Sequence, residues 1–296
     1  MLFSILVPTY NNGATIYGTI SSALEQDYNG EYEVIVVNNA STDNTLEVLR
    51  SFKDKKLKIY SNNKTVHMFE NHNLCLQYAK GDYVLFCHSD DRLLPSALSI
   101  ITKRLVERNF PQRYMLNGRS MFADFSYTTH CWGINIPYNT PISGMWAKYV
   151  FLNCAFSPSG TCYHRESILK MGGFPIIEGT TASDWVFEVD AAFHYWEYEM
   201  MDRIFFIRTQ ASTVSRWSKE EEQLIWSRGA RYFYSKCTPE EKCEIENFWL
   251  TYSIPHWNCI FLTKERRLAM QMSKYKKNPF RIRKLIKWLF IKWNIV

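Results

Sequence analysis

Four short apolar runs near the N-terminus, each opening onto a polar turn, constrain this chain more than any other feature. Leu2–Val7, Tyr32–Val37, Leu57–Tyr60 and Tyr83–Cys87 have the length and β-branched character of strands buried on both faces. Helical patterns lie between them. Ala14–Gln26 places Ile16, Ile20, Ala23 and Leu24 on one face, and Ser41 and Thr42 are N-cap candidates for a helix through Phe52. A third helix is predicted near His67–Ala79, closed by Lys80-Gly81, and a fourth over Pro95–Arg108. A βαβαβαβ series of this kind folds as a mostly parallel sheet flanked by helices, with ligands at the carboxyl ends of the strands.

From 111 to about 215 the pattern loosens into short strands and loops, and after Ser218 it turns helical, with helices expected around 219–235, 239–251 and 264–275. Charge separates along the same line. Residues 264–296 hold eleven Lys and Arg against one Glu, a net +10, so the first 263 residues carry −4 of the chain's +6. A mildly acidic body with a basic tail disfavours a duplex footprint, and no nucleic-acid module is present, so no nucleic-acid partner is expected. The eight cysteines include no CxxC pair, and no His cluster has metal-ligand spacing, which disfavours a zinc site. MLFSILVPTYNN reads as a strand rather than a signal peptide, and scattered thiols fit a reducing cytosol. With no apolar run near the ~20 residues of a spanning helix, the expectation is a cytoplasmic protein, peripheral at most to a membrane.

Chemistry is expected where the strands end. The first ends in Pro8-Thr9-Tyr10-Asn11-Asn12-Gly13, neither a GxGxxG turn nor a P-loop. The second ends in Asn38-Asn39-Ala40-Ser41-Thr42-Asp43-Asn44-Thr45, a run that Asx-turns and a helix cap would also explain. After the fourth comes His88-Ser89-Asp90-Asp91, where two adjacent carboxylates repel unless a cation relieves them, and hard Mg²⁺ or Mn²⁺ suits one or two carboxylates with phosphate oxygens. The three polar ends on one sheet edge weigh more than any one alone.

These segments together resemble the inverting family 2 glycosyltransferases with the GT-A nucleotide-sugar fold. The resemblance spans roughly 3–215 and rests on SILVPTYNN, VVNNASTDNT, AKGDYVLFCHSDDRLLP, SGTCYHRESILKMGGFP, SDW at 183–185 and IRTQASTVS. It implies a donor site built from Pro8, Thr9, Tyr10, Asn11 and Asn39 around base and ribose. It further implies a metal–diphosphate site at Asp90 and Asp91 for Mn²⁺ or Mg²⁺, and a catalytic base at Asp184. Glu178, Glu188 and Asp190 are fallback bases, Arg208 is a candidate diphosphate contact, and Trp185 is a candidate acceptor contact. Three positions depart from the pattern: Asn39 stands where an Asp accepts the uracil N3–H, His88 where the metal motif leads with Asp, and Gln210 where a His is usual. Thr213 stands where the QxxRW motif of processive members needs Gln, which argues for one sugar per encounter.

The implied activity is metal-dependent transfer of one sugar from a nucleotide sugar, expected to be a UDP-sugar, to a saccharide acceptor in bacterial surface-polysaccharide synthesis. The expected domains are 1–217 for catalysis (1–110 for the nucleotide, 111–217 for the acceptor) and 218–296 as a helical extension. At helical spacing Ile282, Leu285, Ile286, Leu289 and Trp293 share a face, with Arg283, Lys284 and Lys287 largely off it. That tail, 264–296, is expected to lie on an anionic membrane surface at the inner face of the cell membrane, beside a polyprenyl-diphosphate-linked acceptor. The competing expectation is a catalytically inactive binder of nucleotide sugar or glycan. A sugar nucleotidyltransferase is disfavoured because PTYNNG is not a Gly-rich, Arg-containing loop.

Overall fold

A computed structural model describes residues 1–122, 136–153, 156–208 and 218–252. In chain order the elements are β1 (Leu2–Thr9), α1 (Ile16–Leu24), β2 (Glu31–Asn38), α2 (Thr45–Ser51), β3 (Leu57–Ser61), α3 (Met68–Tyr78), β4 (Tyr83–Phe86), β5 (Asp91–Leu93) and α4 (Ala97–Glu107). There follow β6 (Tyr114–Phe122), α5 (Gly144–Asn153), β7 (Thr161–His164), α6 (Arg165–Lys170), α7 (Ser183–Phe193), β8 (Glu197–Arg208), α8 (Lys219–Lys236) and α9 (Pro239–Tyr252). One eight-stranded sheet runs in the order β3-β2-β1-β4-β7-β6-β8-β5. Its first four strands are parallel, as the alternation of strand and helix requires. Beyond β4 it is mixed: β7 is antiparallel to β4 and β6, β8 is parallel to β6, and β5 is antiparallel to β8.

The alternation of side chains along each strand decides which helix covers which face. Phe3, Ile5 and Val7 of β1, Val34 and Val36 of β2, and Tyr83 and Leu85 of β4 share a core with Ile16, Ile20 and Ala23 of α1 and Leu98, Ile101 and Leu105 of α4. Each such Ile or Leu contributes about 1.5–3 kcal/mol by leaving water, and this core underlies the half of the sheet that bears the polar ends.

Several expectations change in detail. Ser41 and Thr42 do not cap α2, which starts at Thr45, where the Asp43 carboxylate accepts the Thr45 N–H at 3.0 Å. Gly81 is not a left-handed C-cap: α3 ends at Ala79 in extended backbone, and a Cβ on Gly81 would lie 2.6 Å from the Ser4 nitrogen. Close passage of the chain beside β1 is what needs glycine there. In the loosely patterned region α5, α7 and the 12-residue β8 emerge. Helix α7 is buried nearly all round, so no amphipathic period marks it.

The chain divides into units 1–229 and 230–296. In the second, Thr238 and Glu241 form a reciprocal capping box at the start of α9, and the Tyr234 hydroxyl donates to Glu246 at 2.6 Å. Gln210, Thr213 and the basic tail 264–296, with its expected helix at 264–275, lie outside the described residues. Among the described residues no helix is long and apolar enough to cross a membrane.

Candidate active site

The three polar strand ends interlock. The Asn11 N–H donates to the Ser41 hydroxyl at 2.9 Å, and its side-chain carbonyl accepts from Thr42 N–H at 2.8 Å. Asn12 N–H donates to the Thr45 hydroxyl at 2.8 Å and Gly13 N–H to the Asp43 carboxylate at 2.9 Å. The loop after β4 joins through the Ser89 hydroxyl, which donates to Asn12 Oδ1 at 2.7 Å, while the Ser89 carbonyl accepts from Thr15 and Thr19. Residues 8–13, 41–45 and 88–91 are therefore one construction. On it Tyr10 stands 47% exposed, an aromatic face open to a ligand, beside Thr9, whose buried hydroxyl has no hydrogen-bond partner among the described residues.

Asn39 is more committed than the resemblance suggests. Its Nδ2 donates to the Val66 carbonyl at 2.9 Å, and its Oδ1 accepts from Val66 N–H at 2.9 Å and Asn62 Nδ2 at 3.0 Å. Asn62 also reaches Asn71, which in turn donates to the Val37 carbonyl. With both lone pairs of its oxygen engaged, Asn39 pins the loop 62–66 beside the end of β2 and offers no free acceptor to a base.

At the end of β4, His88, Asp90 and Asp91 bring one ligand atom each within 4.8 Å of one another. His88 thus joins the two carboxylates instead of leaving them alone, and the set of one imidazole and two carboxylates suits a divalent cation such as Mn²⁺. Asp91 is buried, and burial pushes its carboxyl up to about 7 against the opposing pull of Arg208 and Ser159. A second positive charge beside it would favour its ionised form, so the site fits a cation. The Ser159 hydroxyl donates to Asp91 Oδ2 at 2.6 Å and accepts from the His88 N–H at 3.0 Å. It is delivered by a turn in which Gly160 has φ +78 and a Cβ would lie 2.3 Å from the Phe206 ring.

Strand β5, absent from the sequence reading, places Asp91 directly across from Arg208 at the end of β8. The Arg208 Nε–H is buried and makes no hydrogen bond among the described residues, so a strong donor is held ready for an anion. Its charge favours the ionised forms of both Asp91 and Asp184 and disfavours a proton on His88.

Asp184 sits in the first turn of α7 and accepts from Trp185 N–H at 2.8 Å. Burial pushes its carboxyl up to about 7, against the lowering effects of that bond and of Arg208. A carboxylate with that value is matched to taking a proton near neutral pH. Trp185, the candidate acceptor contact, is buried: its indole donates to the Phe151 carbonyl at 2.6 Å and stands edge-on to Trp226. Among the fallback bases, Glu188 is buried and accepts from Phe156 N–H, Asp190 lies 3.3 Å from His194, and Glu178 is exposed on the preceding loop. His72 and Ser159 escaped sequence reasoning as site residues because each reaches the cluster only through folded neighbours.

Residues 4–140 match the profile of the family described as Glycosyl transferase family 2. Among curated proteins, the chain is 36% identical over 98 residues to the UDP-Glc:alpha-D-GlcNAc-diphosphoundecaprenol beta-1,3-glucosyltransferase WfaP of Escherichia coli, covering 33% of this chain and 39% of that protein. The chain spans between 11% and 50% of the length of the curated relatives it matches, among them 32%, 39% and 50% for three of the most similar. Among solved structures, S. aureus TarS 1-349 in complex with UDP-GlcNAc superposes with a TM-score of 0.62 at 19% identity, covering 92% of this chain and 79% of that one. The mannosyltransferase PcManGT from Pyrobaculum calidifontis, in complex with GDP-Man and Mn²⁺, gives 0.59 at 17% identity, covering 98% and 84%. These likenesses bear out the GT-A fold expected from the sequence.

Proposed function

We propose that this chain, whose residues 4–140 match the profile of glycosyl transferase family 2, transfers one sugar, with inversion, from a UDP-sugar to a saccharide hydroxyl on a polyprenyl-diphosphate carrier. The observation that carries the reading is the register that sets Arg208 across from Asp91, from where its charge favours the ionised forms of both Asp91 and Asp184. It sets a diphosphate-binding group beside a base poised near neutrality, the two requirements of glycosyl transfer.

In this reading the nucleoside lies on the edge made by Pro8, Thr9, Tyr10 and Asn11, with the exposed Tyr10 ring stacking against base or ribose. Asn39 shapes the pocket by holding loop 62–66. Arg208 binds the diphosphate, and His88, Asp90 and Asp91 would hold Mn²⁺ or Mg²⁺. When bound, the cation neutralises charge on the departing diphosphate. The acceptor hydroxyl gives its proton to the Asp184 carboxylate as its oxygen attacks the anomeric carbon. The anomeric C–O bond to the diphosphate breaks on the opposite face, and UDP leaves with that electron pair. Asp184 serves because its ionised form is held by Arg208 and by Trp185 N–H, while burial keeps it basic.

The WfaP name supports a lipid-linked acceptor, since that relative acts on a diphosphoundecaprenol-linked sugar. The basic tail 264–296 supports peripheral attachment to an anionic membrane, leaving 1–217 to carry catalysis. The test is transfer from a panel of radiolabelled UDP-sugars to a polyprenyl-diphosphate-linked saccharide with Mn²⁺, and then with EDTA. The expected result is metal-dependent product from one donor. UDP binding without turnover on any donor would favour the inactive binder.

A further inference from the structure

Beneath the cation cluster lies a second histidine that the mechanism above does not use. His72, in α3, is only 4% exposed and packs against Phe69, Phe86 and Phe174 with centroid distances of 5.0, 5.6 and 6.0 Å. Its two nitrogens have different neighbours. Nδ1 lies 2.9 Å from the Met68 carbonyl oxygen, and Nε2 lies 3.3 Å from His88 Nε2. The carbonyl only accepts, so Nδ1 of His72 carries the hydrogen. A neutral ring has a single N–H, so His72 Nε2 is then a lone pair. Neutrality is what the geometry imposes: a proton added to His72 would put a charge out of water among three phenylalanine rings, and an imidazole ligates a cation only through the lone pair of its neutral form. His88 must therefore donate its Nε2–H to His72, and its remaining lone pair is on Nδ1.

We propose that His72 is a positioning residue that sets the tautomer and ring orientation of His88, so that His88 Nδ1 ligates a divalent cation together with Asp90 and Asp91. The proposal rests on reading that cluster as the donor-site cation centre. Its consequence is a nitrogen ligand in a position where the family resemblance expects a carboxylate oxygen, with one negative charge fewer. A mixed nitrogen–oxygen set favours Mn²⁺ over Mg²⁺. The hydrogen-bonded partner of a metal-bound imidazole commonly governs affinity 10–100-fold.

The test uses the full chain with Mn²⁺ and UDP, followed by electron paramagnetic resonance. Wild type is expected to show ¹⁴N modulation on the bound Mn²⁺, absent from His88→Ala. His72→Leu, which removes the acceptor, is expected to weaken Mn²⁺ binding about 10–100-fold. His72→Gln, whose Oε1 still accepts from His88, is expected to stay within a few-fold of wild type and to keep the modulation. Oxygen-only coordination in wild type, modulation that survives His88→Ala, or folded His72→Leu binding Mn²⁺ as wild type does would each overturn the proposal. Should His72→Leu fail to fold by circular dichroism, His72→Gln decides: loss of ¹⁴N modulation in that folded variant overturns the relay. Calorimetry with UDP separates the two readings. A chain that binds neither UDP nor Mn²⁺ refutes the donor site itself, whereas one that binds both through oxygen ligands refutes only the role of His72 and His88.

Discussion

Asp91 and Arg208 face each other across the antiparallel pairing of β5 with β8, a three-residue strand against the end of a twelve-residue one. That register brings a β8 cation to the loop that follows β4, and its charge reaches Asp184 in α7 as well. One guanidinium thereby joins residues that lie more than ninety positions apart in the sequence.

Arg208→Ala should therefore do two separable things. Transfer should fall by on the order of 10²–10³, as for loss of a donor that meets developing charge. Because Arg208 lowers the Asp184 value, the acidic limb of the remaining activity should also move to higher pH. A kcat/KM–pH profile checks both, and an unmoved limb would separate Arg208 from Asp184.

The Asp184 carboxyl is pushed up to about 7, and a base works only when ionised. Activity should be present above that value and decline as pH falls through it. Asp184→Asn should lose on the order of 10²–10⁴ in kcat while UDP affinity, read by calorimetry, stays near wild type. The same shift has a stability sign. A raised folded value means that the ionised side chain opposes folding, with the full penalty present above about 7 and absent below the ordinary value of 3.8. Asp184→Asn should thus melt at least about 2 °C higher than wild type at pH 8, with the difference vanishing near pH 4.

Ser159→Ala removes the hydroxyl between Asp91 Oδ2 and the His88 N–H. Both groups are then left without that partner in a buried place, a loss of about 1–3 kcal/mol. Differential scanning fluorimetry should show the lower Tm. A Mn²⁺ titration of activity should show a higher half-saturating concentration, since Asp91 and His88 lose their common anchor.

Asn39→Asp keeps the shape but replaces the Nδ2 that donates to the Val66 carbonyl with a carboxylate oxygen facing it. The expected outcome is a loss of about 1–3 kcal/mol in urea unfolding, together with weaker UDP binding. Tighter UDP binding by the folded variant would instead show that the position serves the base directly.

The first 110 residues were legible because their signals are local. Apolar runs alternating with 3.6-residue patterns dictate strand and helix, and βαβ connections leave one sheet edge for the polar turns. Asp90, Asp91, Asp184 and Arg208 were legible as candidates through the order of their motifs. Their meeting was not, since it depends on pairings between distant segments: β5 with β8, and Ser159 from the turn before β7 against Asp91. The same reason accounts for Trp185 and His72. A Trp beside a base and a His on a helix read alike whether they face a ligand or the core. Only the packing of Phe151 and Trp226 around the one, and of Phe69, Phe86 and Phe174 around the other, decides which way each side chain points. Sequence alone determined which elements form and what polar groups their ends carry, because those rest on near-neighbour periodicity and caps. Tertiary structure alone decided which of those groups share a charge, a hydrogen bond or a metal-ligating distance, because such interactions fall away within a few ångströms and only the folded sheet brings the partners that close.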